Sequence, residues 1–479
     1  MLIRLPGALT GVALGFVLGG CASGPAPTAA SLPFDVPAAW SQGEPPARAG
    51  PLALSQWWLR LDDPLLARLV ADALRSNHTI AIAQASLAQA RAQREAAAAG
   101  LLPALDGSGS AARSRSGGGS ASNSFRVGLD AAWELDVFGG KKSAVAAGVA
   151  VERAGAANLA DAQVSIAAEV ALGYIALRSG QARLAIALDN LASQQELLQI
   201  TQWRLQAGLV SSLEAEQSRA AAEQARAQAT VLRAASQQLV HALATLTGQP
   251  PMALSALLEA PGQIPAAPAG MALSLPADTL RQRPDIRAAE YQVVAASARV
   301  SQAHAQTLPS FRLAGSLGLS ALTVGSLTSG GSVASSLLAG LAWPLFDGGA
   351  GQAQVRAQQA AMDQAVAAYR GAVLTALKEV EDALSALRGD RERLAHLQQA
   401  AGAAANAALM ARQRYSSGLV DFQVVLETQR NQLSTQDSVA GAAADVTADH
   451  VRLYKALGGG WLPDDDTTLA PSPAGSAPT

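Results

Sequence analysis

The sequence is short of the residues that most chemistry needs. Its 479 residues include one cysteine, Cys21, and five histidines, which excludes a disulfide framework, a thiolate zinc site and an iron–sulfur cluster. His78, His241, His304, His396 and His450 share no close spacing and read as surface or helix-packing histidines rather than a ligand set. No G-x-S-x-G elbow, G-x-x-x-x-G-K-[ST] loop or H-E-x-x-H pair occurs. The chain is therefore expected not to be an enzyme and to carry no cofactor or metal. Charged residues make up 15%, against about 25% in ordinary soluble domains. The formal net charge of -2 gives no reason to expect a nucleic-acid partner. What is plentiful is alanine, with glutamine and serine between, the composition of long helices whose backbones approach closely.

Proline is missing from two long stretches, 104–249 and 345–462. Because proline breaks helix interiors, long helices can run there. Pro64 and Pro284 suit first helical turns, Pro103 and Pro309 follow helices, and six prolines between 250 and 276 mark a linker over 249–276. The two sides of that linker repeat. Ile80 corresponds to Ile286, Pro103 to Pro309, Phe138 to Phe346 and Gly208 to Gly418. A slowly drifting offset with matched punctuation is the mark of a duplicated unit with small loop insertions. The expected organisation is a first repeat over 63–248 and a second over 277–460, with a disordered tail over 461–479.

Within each repeat the hydrophobic period changes from 3.6 to 2 and back. Phe125, Val127, Leu129, Trp133, Leu135 and Val137 alternate with Arg126, Asp130, Glu134 and Asp136; Phe311, Leu313, Leu317 and Leu319 alternate with Arg312, Ser316 and Ser320. Glycine-rich turns at 117–120 and 329–332 separate each strand from a weaker partner, predicting hairpins over about 104–138 and 310–346. Thirteen residues at about 3.3 Å, tilted near 45°, span roughly the thickness of a bilayer. Four strands cannot close a membrane barrel, and open edges do not survive in lipid, so a membrane reading requires an oligomer with four strands per chain. The helices are long: 141–206 would extend about 99 Å. Gly208 reads as its stop, with Ser211-x-x-Glu214 capping the next helix to about 247. A single helix is expected over 64–100. The second repeat follows with 349–414, a turn at Gly418, Asp421 as N-cap and a helix to about 457. No membrane-spanning helix is expected after residue 20.

Residues 1–20 read as a secretory signal, and the string Leu18-Gly19-Gly20-Cys21 resembles the lipobox of bacterial lipoproteins. That resemblance implies acylation (palmitate) at Cys21, and Ala22 in the next position implies the outer rather than the inner membrane. Residues 21–62 then form an extended, proline-rich strap.

Taken together, Trp57-Trp58 with Asp63-Pro64, Trp133-Glu134-Leu135-Asp136 with Phe138-Gly139, Arg283-Pro284-Asp285-Ile286-Arg287 and Leu345-Phe346-Asp347-Gly348-Gly349 resemble the outer-membrane efflux channels of Gram-negative bacteria, lipoprotein (NodT-like) branch. The resemblance implies a mainly α homotrimer: a twelve-stranded barrel continued into a periplasmic coiled-coil α-helical tunnel. It also implies a periplasmic adaptor and an inner-membrane pump of the resistance-nodulation-division class as partners. The turns Gly208-Leu209-Val210 and Gly418-Leu419-Val420 would touch the adaptor. Glu427 and Arg430 would form a charged gate, with Gln423 where an apolar constriction is common. A different class of protein, a non-transporting coiled-coil scaffold lipoprotein of the periplasm, shares the helices but has no use for bilayer-length strands.

Overall fold

The computed structural model describes residues 54–115, 117, 119–266, 279–280 and 282–461, together with 35, 37 and 39–41. Cys21, most of the strap and all but Trp461 of the tail lie outside the described residues. The chain divides into two compact units, one holding 100–147 and 293–366, the other 34–99, 148–292 and 367–479.

The first unit is built on a four-stranded antiparallel sheet. Its strands are β1 (Ala104–Ser114), β2 (Ser122–Leu135), β3 (Ser310–Ala321) and β4 (Val333–Ala342), in the order β1-β2-β3-β4. The connection from β3 to β4 holds two 3-10 turns, Val324–Ser326 and Gly330–Ser332. Gly128 and Gly318 face each other between β2 and β3; a Cβ on Gly318 would meet Val127 O at 2.8 Å. Only glycine lets the strands run this close there.

The remaining helices are α1 (Pro64–Ser76), α2 (His78–Ala99), α3 (Gly140–Gln206), α4 (Ser212–Leu246), α5 (Ser255–Leu258), α6 (Pro284–Ala305), α7 (Ala350–Ser416) and α8 (Phe422–Ala456). Their lengths recur: 22 residues for α2 and α6, 67 for α3 and α7, 35 for α4 and α8. The single helix expected over 64–100 is broken. Asn77 leaves the helical region (φ -70°, ψ 134°), and its side chain accepts from Thr79 N at 2.7 Å while donating to Leu246 O at 2.8 Å. An Asn that satisfies both its own next turn and the end of α4 competes successfully with helix continuation. The linker region also holds more order than its prolines suggest, in the short α5.

The second unit buries an aromatic core. Trp57 stacks on Tyr454 (5.4 Å, 12°) and meets Trp58 edge-on (5.7 Å, 79°). Asp63 caps α1, its carboxylate accepting from Leu65 N and Leu66 N, and Tyr174 donates to it at 2.8 Å. Burial pushes the Tyr174 phenol up to about 12. Arg283, almost wholly buried, holds Asp285 at 2.7 Å, Glu379 at 2.8 Å and the Ala456 carbonyl at 2.8 Å, tying the start of α6 to α7 and to the end of α8. One 18-residue stretch of α3 is apolar enough to cross a bilayer, but half of it is buried inside the protein. Residues such as Ile166, Ala167, Val170 and Ile175 of that helix belong to this core.

Candidate functional site

Register sorts the sheet into two faces. On one, Val127 opposes Leu319, Leu129 opposes Leu317, Trp133 opposes Leu313 and Leu135 opposes Phe311, with Leu105, Leu337 and Leu341 on the same side. On the other, Arg126 opposes Ser320, Asp130 opposes Ser316, and Glu134 opposes Arg312. Asp130 also accepts from Ser108 Oγ at 2.8 Å. The apolar face is not covered: Leu129, Leu317 and Leu337 are 50%, 58% and 77% exposed. A contiguous exposed apolar face of this size on a protein in water is an interaction surface. With a charged face behind it and unpaired edges on β1 and β4, it has the pattern of a membrane-barrel wall.

Where the strands give way to the long helices, one device appears twice. The Asp136 carboxylate accepts from Lys141 N at 2.9 Å and Lys142 N at 2.8 Å, at the start of α3. Asp347 accepts from Gly349 N at 2.8 Å and Gly351 N at 2.7 Å, at the start of α7. Those N–H groups hold the Asp347 carboxyl below the usual range. Gly139, Gly348 and Gly349 have positive φ (74°, 66° and 91°), which lets the chain turn sharply enough for the carboxylate to reach the helix N-terminus. The strings D-V-F-G-G and F-D-G-G are thus helix starters.

At the other ends of α3 and α7 the turns are also twins. Gly208 (φ 73°) donates to Leu205 O at 2.9 Å and Leu209 N to Arg204 O at 2.8 Å; Gly418 (φ 71°) donates to Tyr415 O at 3.0 Å and Leu419 N to Arg414 O at 2.9 Å. Both are Schellman closures. Leu209 and Leu419 point outward, 69% and 74% exposed, while Val210 and Val420 are half-buried. Beneath them Leu197, Tyr415, Phe422, Val425 and Leu426 pack as one cluster, with Val420 against it and the Arg204 guanidinium 4.9 Å from the Tyr415 ring centroid. Further ties join the two hairpins: Gln194 to Gln429 at 3.1 Å, and Arg183 to Asp437 through two bonds of 2.7 and 2.9 Å. Sequence reasoning did not single out either tie, because no local pattern distinguishes these residues from the other polar positions of long helices.

Gln423, Glu427 and Arg430 lie along one face of α8, and all three are exposed. Within one chain, among the described residues, no ion pair or hydrogen bond involves the side chain of Glu427 or Arg430. Asp421 sits at the N-cap of α8 but its side chain makes no capping bond, whereas Ser211 Oγ accepts from Glu214 N at 3.4 Å.

A sheet with an uncovered apolar belt on one side and charge on the other, set in a chain of very long paired helices, defines a β-barrel channel subunit of the outer membrane. The chain belongs to the outer membrane efflux protein family, whose model matches residues 69–249 and 275–459. It is 31% identical to outer membrane protein OprJ of Pseudomonas aeruginosa over 94% of this chain and 95% of that protein. It is 30% identical to the toluene efflux pump outer membrane protein TtgF of Pseudomonas putida over 94% and 96%. The solved structure of the outer-membrane channel OprN superposes with a TM-score of 0.82 at 34% identity, covering 90% of this chain and 99% of that one. The chain is an outer-membrane efflux component, and the scaffold reading is set aside.

Proposed function

We propose that three copies of this chain close a twelve-stranded barrel and act as the passive outlet of a tripartite efflux system. The observation that carries the reading is the sheet itself: an exposed apolar face, a charged face and two unpaired edges, which only closure with further copies reconciles with lipid. Cys21 carries the acyl anchor that holds the strap 21–62 to the membrane. Repeats 63–248 and 277–460, joined by 249–276, each supply one β-hairpin and one long helical hairpin. A periplasmic adaptor meets the tips at Leu209-Val210 and Leu419-Val420, where exposed leucines surmount twin turns, and a pump of the resistance-nodulation-division class drives transport through it. The small molecules exported by relatives such as TtgF include toluene by name, and an apolar or amphiphilic compound is the substrate class we infer.

Threefold symmetry gives Gln423, Glu427 and Arg430 a role that one chain does not show. Three Glu427 carboxylates converging on an axis repel one another unless Arg430 of a neighbouring copy or a cation offsets them. Purified protein in a planar bilayer should conduct and prefer cations. Glu427→Ala with Arg430→Ala should raise single-channel conductance and weaken that preference. A double variant that conducts and selects like the parent removes the gate assignment; absence of any conductance in the parent removes the channel reading.

A further inference from the structure

In the helical unit a groove of about 370 Å³ lies among α2, α3 and α6, lined by Arg91, Arg153, Gln163, Arg287, Tyr291 and Trp461. It is rich in cations and poor in anions. Arg153 stands 5.9 Å from the Tyr291 ring centroid, and Arg287 stands 5.4 Å from that of Trp461. Glu152 is shared between Arg91 at 3.2 Å and Arg94 at 2.9 Å. Among the described residues no carboxylate pairs with Arg153. A donor is also stranded here: the Trp461 indole Nε1 is buried and, among the described residues, has no acceptor. A buried donor without a partner is costly, so an acceptor that reaches it is favoured.

The chain itself supplies one. After α8 it is pinned in place: Gly458 turns with φ 74°, Gly459 N donates to Tyr454 O at 2.9 Å and Gly460 N to Leu54 O at 3.0 Å. It therefore reaches Trp461 at the groove's edge. Leu462-Pro463-Asp464-Asp465-Asp466 follows, and the three residues from Trp461 to Asp464 reach at most about 10 Å. This Asp464–Asp466 run is the only stretch of three consecutive acidic residues in the chain.

We propose that the groove is the docking site of this chain's own acidic run Asp464–Asp466, whose carboxylates pair with Arg153 and Arg91 and accept from the Trp461 indole. The tail then works as a clasp that fastens the end of α8 to α2, α3 and α6. The chemistry is charge-assisted pairing of carboxylate with guanidinium, and guanidinium presents a fixed fork suited to it.

Endoprotease Asp-N, which cuts before aspartate, reads the clasp directly on the full chain in detergent. The tail holds no other aspartate, so release of the C-terminal fragment, followed by mass spectrometry, reports access to Asp464–Asp466. The parent should be cut slowly. Arg153→Gln should speed release about five-fold, the scale of a partly exposed ion pair, and so should raised salt. Arg153→Lys should keep most of the protection, and Arg219→Gln, an exposed arginine on α4, should leave the rate alone. Circular dichroism showing unchanged helix content keeps loss of protection distinct from unfolding. Release from the parent as fast as from Arg153→Gln, with no salt dependence, overturns the proposal and leaves the groove for another anion. Acceleration by Arg219→Gln equal to that by Arg153→Gln does the same.

Discussion

The two units treat the same kind of side chain in opposite ways. In the helical unit Trp57, Tyr174 and Tyr454 are 0–1% exposed and share one core. In the sheet Leu129, Leu317 and Leu337 are 50–77% exposed, although β2 and β3 alternate as cleanly as any strand that covers a soluble core. Alternation therefore reports that a strand has two environments, and not which environment is oil. The helical unit makes its own apolar interior; the sheet presents its apolar face to be covered, and in a member of this family the cover is lipid. The contrast extends to polar ties. Buried Arg283 and the Asp63–Tyr174 bond serve the helical core, while on the sheet Asp130 and Ser108 bond on the face that turns away from the leucines.

The sharpest way to break the comparison is to charge the belt. Leu129 and Leu317 are cross-strand partners on the apolar face. Arginine at a bilayer midplane costs about 2–4 kcal/mol per site, so Leu129→Arg with Leu317→Arg should abolish assembly in the outer membrane, read as loss of the heat-modifiable oligomer on gels. Ser316→Arg, one residue along β3 and on the opposite face, should assemble normally. If the two variants behave alike, the face assignment is wrong. In the helical unit the matching insult is Tyr454→Ala, which removes the ring under Trp57. It should cost about 3–5 kcal/mol of stability and lower the melting temperature while leaving strand-mediated insertion possible.

Much of this contrast was legible in the sequence because it rests on local pattern. Phe125 to Leu135 alternates, Gly208 and Gly418 stop helices, and the absence of proline leaves room for two 67-residue helices. The family strings were legible too, but for reasons the structure relocates: Asp136 and Asp347 start helices, and Arg283 ties three of them. What stayed hidden is long-range. Asn77 breaks a helix because Leu246 O lies within its reach, 169 residues away. Gln194 meets Gln429 and Arg183 meets Asp437 across more than 230 residues, and neither partner has a local signature. Within one chain Glu427 and Arg430 stand apart for the converse reason. Spacing along a helix allows the contact, but exposed side chains gain only a few tenths of a kcal/mol by making it.

A buried acid sharpens the comparison at a smaller scale. Asp449 is 1% exposed, pairs with Arg452 at 2.6 Å and, among the described residues, leaves its other oxygen without a donor. Burial, reinforced by neighbouring Asp390, raises its carboxyl to about 6, against about 3.9 in an unfolded chain. Between those values the folded state holds a proton that the unfolded state has lost, so this group's contribution to stability falls as pH rises from about 4 to about 6. Asp449→Asn should thus raise the melting temperature by a few degrees at pH 7.5 and change little near pH 4. The adjacent His450 runs the other way. Its ring donates to Val446 O and accepts from Arg391, and burial holds its pKa down, so protonation costs stability as pH falls below about 6.5. In Asp449→Asn the acid-side loss from His450 should remain, visible in melting curves from pH 7.5 to 5. A variant destabilised at pH 7.5 would show that the Arg452 pair outweighs the burial.

The smallest expected effect separates the two tips. Their closing turns match bond for bond, but the helices that follow differ in how they start. Ser211 Oγ accepts from Glu214 N, and Asp421 makes no side-chain cap. Losing a serine cap costs about 0.5–2 kcal/mol, and the 3.4 Å length and surface position of this bond place Ser211→Ala at the lower end. Asp421→Ala removes no bond, only a charge near a helix N-terminus, worth about 0.3–1 kcal/mol at low salt and less when screened. Hydrogen exchange over 212–216 in Ser211→Ala should therefore quicken at any ionic strength, while exchange over 422–426 in Asp421→Ala should quicken only at low salt. The cluster of Tyr415, Phe422, Val425 and Leu426 holds the second tip without help from its cap. If Asp421→Ala loosened its tip in high salt as much as Ser211→Ala loosens the first, packing would not be what distinguishes them.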